Sequence, residues 1–531
     1  MTVLERKPSS SHWPSTDRRL TPAQALELVE SLRDPVWLTA DGDGYLASDA
    51  NDDRACYAAP CHPSSLGDRS FTTRHGLRYP YVTGAMANGI ASTAVVEAAA
   101  RTGGVGFFGS AGLSLVRVAA AVETLQRTLH DQPFGVNFIH SPNEPAVEAG
   151  LCDLLLQRGV DLVEASAFLD LTLPIVRFRV AGIARGADGK VHAPNRVVAK
   201  VSRVEVATKF LSPPPDAMLR ELVARGNLST QQAELARQIP IAEDVTAEAD
   251  SGGHTDNRPA ITLIPTMIAL RDRLQSQFHF DMPSRIGAAG GIATPASVAG
   301  AFALGAAYVV TGSVNQACVE AGTSDAVRKM LAEAQQADVT MAPAADMFEM
   351  GVKVQVLKRG TMFALRGAKL YELYHAHPSL DAIPTVVRDN LEKTVFKSPL
   401  DAVWDECVRF FTVRDPKQLE RAAQNSKHKM ALVFRWYLGM ASRWANSGEP
   451  GRQIDYQVWC GPAMGAFNEW TKGSCLERPE ARNVEAVALN LLYHAGVLTR
   501  LNMLRVQGLP IPADWAARTP LPIDELRRRL A

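Results

Sequence analysis

From about residue 79 the chain alternates short apolar runs with Ala-rich segments whose apolar positions recur at helical spacing. The runs YPYVTGAMA (79–87), VGFFGS (105–110), FGVNFI (134–139) and LVEASA (162–167) predict four strands. RVVAKVS (196–202), PIAEDVTAEAD (240–250), RIGAAGG (285–291) and YVVTGS (308–313) predict four more. Between the first of them, IASTAVVEAAARTG, LSLVRVAAAVETLQRTLH and EPAVEAGLCDLLLQRG read as helices. Strands apolar on both faces, separated by helices, indicate a parallel sheet. Eight such units indicate a closed α/β barrel of the TIM (β/α)8 type.

The flanks have a different pattern. Residues 1–20 are polar and Ser/Pro-marked, and are expected to be loosely ordered. Thr21-Pro22-Ala23-Gln24 is a helix start, with a capping hydroxyl, a proline in the first turn and a glutamine that reaches back. VWLTADGDGYLAS alternates about an Asp-Gly turn, which signals a hairpin. Residues 1–75 are therefore expected to form a small α/β extension, and 76–322 the barrel. Within the barrel, PIVRFRVAGI suggests an extra strand, and Pro213-Pro214-Pro215 precedes a polar helix. Beyond 322 the strand signal stops. Residues 323–531 read as an appended, mostly helical subdomain, with helix starts at Ser398-Pro399-Leu400-Asp401 and Asp415-Pro416.

Composition narrows the classes. Lys plus Arg (56) equals Asp plus Glu (56), which argues against nucleic acid as the main partner. Seven cysteines in 531 residues make no disulfide scaffold, and Cys56, Cys61 and His62 lack the second half of a zinc site. The N-terminus carries no secretory apolar core. Ile286–Val319 has no charged residue, but Gly290-Gly291, Pro295, Gly312 and Asn315-Gln316 interrupt it. It reads as buried strand, turn, helix and strand rather than a membrane span. The expectation is a soluble cytoplasmic protein.

Candidate chemistry gathers at predicted strand ends. Gly104-Val105-Gly106-Phe107-Phe108-Gly109 matches a dinucleotide fingerprint in letters only, because its glycines run through a strand instead of opening a helix. Gly290-Gly291 and Gly312-Ser313 lie past strands seven and eight, where barrels commonly bind phosphate through backbone N–H groups. Glu248-Ala249-Asp250-Ser251-Gly252-Gly253-His254 follows strand six and puts a histidine at the barrel mouth. Gly84-Ala85-Met86 would let a flat ring approach the backbone. Asn137 offers both a donor and an acceptor. Lys200, inside an apolar run, needs a negative partner: either a bound anionic group or Glu164 or Glu205.

GAMANGIAS, FGVNFIHSP, EASAF, VVAKVSRVEVATKFL, EADSGGHTDNRP and GAAGGIATPASVAGAFALGAAYVVTGSVNQA together resemble the PfaD family. These are stand-alone, FMN-dependent enoyl reductases of polyunsaturated fatty acid and polyketide synthases, within the nitronate monooxygenase superfamily. The resemblance runs from about 75 to 515 and includes IDYQVWCGPAMGAFNEWTKGS. It implies an FMN-binding barrel under a helical subdomain. His254 matches the residue usually assigned as catalytic, in a motif that includes Gly253. Gly290, Gly291, Gly312 and Ser313 match the phosphate loops, and Gly84, Ala85, Met86 and Asn137 match positions that line the isoalloxazine in the family. Lys200 is an added candidate at the flavin edge; smaller enoyl reductases carry an apolar residue there.

The implied chemistry is reduction of FMN by NADPH or NADH, then hydride delivery to an enoyl thioester. An acyl carrier protein is the implied partner, and a homodimer the implied assembly. Lys353, Lys358, Arg359, Arg366 and Lys369 are candidates for carrier docking, and Met347, Phe348, Met350, Met362 and Phe363 for an acyl channel. Nitronate oxidation with His254 as base, and a non-catalytic phosphate-ligand scaffold, are the alternatives.

Overall fold

The structure, a computed structural model, describes residues 18–531 apart from 51 and 143. Most of the polar stretch 1–20 thus lies outside the described residues.

Eight parallel strands close a barrel in the predicted order. They are β1 (Tyr81–Thr83), β2 (Val105–Phe108), β3 (Gly135–Ile139), β4 (Leu162–Ser166), β5 (Arg196–Val201), β6 (Asp244–Glu248), β7 (Arg285–Ala289) and β8 (Val309–Thr311). β8 pairs with β1 and β4 with β5, so no edge is left open. The period-two alternation of a strand sends one set of side chains inward. Val82, Phe107, Leu162, Val198, Tyr308 and Val310 share one interior cluster with Phe71 of the helix Arg69–His75. Phe71 stacks on Tyr308 at 4.1 Å, closing the N-terminal end. There, His75 Nε2 and Arg285 Nε meet Asp244 at 2.7 and 2.5 Å. This end is a stability element, as is usual for the bottom face of such barrels.

Before the barrel, the Thr21 capping box opens Pro22–Glu30, and Val36–Asp41 pairs with Gly44–Ala47 as the expected hairpin. Two sequence expectations fail. PIVRFRVAGI holds no strand: Leu173–Val180 is a helix, followed by a two-residue hairpin of Ala184–Arg185 with Val191–His192. Its β-branched residues are buried by packing, and Pro174 suits the first helical turn. Nor is the region after 322 free of strands. Val339–Pro343 and Lys353–Leu357 form an antiparallel pair, to which Gly253–His254 adds as a third strand.

The helices Leu400–Arg414 and Ser426–Ser447 roof the barrel mouth, with residues of both lining the cavity beneath. The long helix Val484–Val506 returns to the barrel wall. It packs against Pro295–Ala303, the helix after β7, and Thr93–Thr102, the helix after β1. It thus takes the eighth place in the outer ring. Among the described residues, no helix is long and apolar enough to cross a membrane.

Candidate active site

One cavity of about 520 Å³ lies at the C-terminal ends of the strands. Gly84, Ala85, Met86, Asn137, Lys200, Gly253, His254, Gly290, Gly291, Gly312 and Ser313 all line it. These positions, far apart in sequence, meet in space because each ends a barrel strand or starts the loop after one.

The turns that make the floor depend on glycine. Gly290 and Gly291 have φ of +81° and +76°, in the left-handed region. A Cβ at Gly290 would stand 2.5 Å from the carbonyl carbon of Ala249, whereas one at Gly291 would meet open space. After β8, Gly312 precedes the short helix Ser313–Gln316. The Ser313 hydroxyl accepts from Gly461 N at 3.2 Å, tying this loop to the late segment VWCGPAMG.

Buried charge lies under one wall. Lys200 Nζ is 3.1 Å from Glu248 Oε1. Burial works against the ammonium, but Glu248 and Glu164 outweigh it and hold Lys200 above the ordinary lysine range. Of the two partners considered from sequence, Glu205 plays no part; the close contact is Glu248, which shares the inward column of β6. Glu164 on β4 is fully buried. One of its oxygens accepts from Ala85 N at 3.0 Å, and the other has no hydrogen-bond partner among the described residues. Burial pushes its carboxyl up, against the pull of Lys200 and the Ala85 N–H. Asn137 Nδ2 donates to the Glu164 carbonyl at 3.1 Å and to Ser166 Oγ at 2.7 Å, which fixes its amide at the rim of β3.

His254 is held by two systems. Its backbone pairs with Val354 in the three-stranded sheet. Its Nε2 lies 3.1 Å from Asp346 Oδ2. Burial opposes the imidazolium, but Asp346 and then Glu248 raise its pKa above the usual histidine value. Gln355 Nε2 donates to Asp250 Oδ1 and to the Ser251 carbonyl at 2.7 and 2.8 Å, locking the glycine turn. Gly252 packs on the Cys460 backbone so closely that an added Cβ would sit 2.9 Å from it.

Asp346 was not legible in the sequence, because it lies in a loop far along the chain. Glu164 had a signal that was used only for its pairing with Lys200: a carboxylate on the inward column of an apolar strand. The proposed acyl-channel residues are corrected outright. Met347, Phe348 and Phe363 are core, Met350 and Met362 are exposed, and none lines the cavity. The upper walls come instead from Phe410, Phe411, Leu432, Trp436, Leu438 and Met440. Among the docking candidates, Arg366 pairs with buried Asp455, Arg359 with Asp338 and Lys369 with Glu372. Lys353 opens a strand and Lys358 follows it, so neither is on a helix.

Residues 69–372 match the nitronate monooxygenase family, over more than half of the chain. The chain belongs to this family. Its barrel is extended by residues 377–456, which match the inserted helical domain of acyl-carrier-protein S-malonyltransferase. The enoyl reductase domain of MlnA, from the macrolactin biosynthesis cluster of Bacillus amyloliquefaciens, is similar with a TM-score of 0.78. That match has 37% identity and covers 84% of this chain and 99% of that one. One of the polyunsaturated fatty acid synthase subunits of Thraustochytrium sp. is 46% identical over 501 residues, 91% of this chain and 33% of the relative. Polyketide biosynthesis protein PksE of Bacillus subtilis is 44% identical over 440 residues, 83% of this chain and 57% of the relative. The chain thus spans a third to somewhat over half of these curated relatives. Within the nitronate monooxygenase family it is PfaD-like.

FMN is the cofactor this family implies, and the residues present fit it. Gly291 and Gly312 leave open the space a Cβ would fill, as a phosphate cradle requires. Gly84, Ala85 and Met86 present backbone to the cavity. Lys200 brings a positive charge to the same wall, over an unpartnered Glu164 oxygen.

Proposed function

We propose that this nitronate monooxygenase-family barrel is an enoyl reductase that uses FMN and NAD(P)H to reduce α,β-unsaturated thioesters carried in trans on an acyl carrier protein. The observation that carries this is the placing of His254, paired with Asp346 at 3.1 Å, on the same cavity as the glycine cradle and Lys200. When bound, FMN supplies the hydride chemistry, with the nicotinamide as its source of electrons.

Backbone N–H groups at Gly290, Gly291, Gly312 and Ser313 would hold the phosphate. Gly84, Ala85, Met86 and Asn137 would position the ring system, and Lys200 would supply a positive charge beside it. His254 Nε2 is shared with Asp346 in the resting site; the protonated ring is the donor that charge building on the thioester oxygen and α-carbon calls for. Asp346 keeps that proton in place. The apolar roof of Phe411, Leu432 and Leu438 excludes water from the reacting carbons.

The test is anaerobic. FMN-loaded protein mixed with NADPH loses its oxidised flavin absorbance, and added crotonyl-carrier protein restores it with formation of butyryl product. Nitronate oxidation is the second reading, favoured by the family match over the barrel. It would use His254 as the base that takes the proton of the nitroalkane. Flavin reduction by a nitroalkane, with none by NADPH, would replace the first reading with the second.

A further inference from the structure

The cavity does not end over the barrel mouth. It continues to the seam between the helix Leu115–Leu129 and the two roof helices, where Leu115, Val118, Phe410, Arg414, Met440 and Arg443 line it. Phe410 is 39% exposed, and Val116 and Val413 are 79% and 88% exposed, so the seam opens to solvent on an apolar rim.

Arg414 and Arg443 line this opening, and exposed Arg117 is on the helix Leu115–Leu129 beside it. The guanidinium groups of Arg414 and Arg443 lie 5.5 and 5.6 Å from the Phe410 ring centroid. Arg414 is neutralised by Glu144, with Nε–Oε1 and Nη2–Oε2 at 2.5 and 2.8 Å. Arg443 and Arg117 have no ion pair among the described residues. Arg443 is an exposed residue whose guanidinium loses part of its water; that desolvation, then Arg414 and Arg117, lowers its pKa. The site is firmly placed: Ser442, beside Arg443, accepts from Asn88 Nδ2 at 2.9 Å, and the Arg414–Glu144 fork fixes the other helix to the loop after β3.

The geometry points to an anion site at the cavity entrance, in which Arg443, with Arg117, grips the phosphodiester of a 4′-phosphopantetheine arm while the acyl end lies inside. Arginine suits this task because its planar fork matches phosphate oxygens. The passage between Arg443 and His254 has the apolar walls an acyl-pantetheine chain needs. The inference rests on the proposed reaction for its substrate, but the site can be tested without turnover.

Binding of butyryl-4′-phosphopantetheine and of butyryl-pantetheine, which lacks the phosphate, is compared by calorimetry on FMN-loaded protein. The native chain should prefer the phosphorylated compound by roughly tenfold or more. Arg443→Gln, and more fully Arg443→Gln with Arg117→Gln, should erase that preference; Arg443→Lys should restore part of it. Unaltered melting temperatures separate the effect from misfolding. A native protein with no preference, or a variant that keeps it, overturns the inference. Turnover of crotonyl-pantetheine and crotonyl-phosphopantetheine is measured beside it. If neither is reduced while the binding preference stands, the reaction assignment fails and the anion site survives.

Discussion

His254 Nε2 and Asp346 Oδ2 are 3.1 Å apart and 92 residues apart in sequence. The pair joins the glycine turn after β6 to the sheet that follows the barrel. Asp346, itself held below the usual carboxylate range against the cost of burial, holds His254 charged above the ordinary histidine pKa. A step that needs the imidazolium should therefore lose rate only on a basic limb lying above the usual histidine range. Asp346→Asn should move that limb to lower pH, and His254→Ala should cut enoyl reduction by roughly 10²–10⁴-fold with FMN still bound. The pH profile of kcat/KM checks both. The raised His254 pKa makes that group's stabilising contribution full below the ordinary histidine pKa and lost as pH rises through its folded value, while the lowered Asp346 pKa makes the pair fail as pH falls through the folded value of the carboxyl.

Lys200 answers two carboxylates from inside the barrel. Lys200→Met leaves Glu248 and Glu164 without their cation. It should destabilise the chain by roughly 3–5 kcal/mol in denaturant titration. Lys200→Met with Glu248→Gln should recover part of that loss. Equal stability of both variants would show that Lys200 and Glu248 are not coupled.

Gly290 and Gly291 should separate folding from cofactor capture. Gly290→Ala forces a methyl against the Ala249 backbone and should lower the melting temperature. Gly291→Ala meets no neighbour and should cost roughly 1 kcal/mol of backbone strain. Its methyl points into the proposed phosphate cradle, so FMN affinity should fall by at least roughly tenfold. Flavin fluorescence titration and thermal melts read the two effects.

His494 lies far from the cavity, on the helix Val484–Val506, and is almost wholly buried. Burial, then Arg518 and Arg529, lowers its pKa to about 3. The unfolded chain takes up this proton first, so stability is full above the ordinary histidine pKa and declines as pH falls from there toward about 3. His494→Leu should flatten that part of the stability–pH curve, as measured by urea midpoints.

All eight strands were legible because each is a short apolar run bounded by glycine or polar residues. The glycine turns were legible because positive φ leaves a compositional trace. Leu173–Val180 misled because burial on every side removes the periodicity that separates helix from strand. Asp346 and the strands Val339–Pro343 and Lys353–Leu357 were hidden for another reason. Lys353–Leu357, the partner of Val339–Pro343, also pairs with a two-residue strand about a hundred positions earlier, and Asp346 meets His254 across 92 residues; no local pattern encodes such partners.

The position of Val484–Val506 in the barrel wall gives the roof both its feet on one foundation. The roof is an excursion that leaves after β8 and rejoins the ring, not a tail. Trimming the chain at residue 322 would strip a stave from the cask and expose Val487, Leu491 and Leu492 contacts that are now core. The natural cassette for exchange between relatives is instead the stretch from just past Gln316 to Asn483. A graft there would change the roof over the cavity while all eight barrel strands and the helices of the outer ring stay in place.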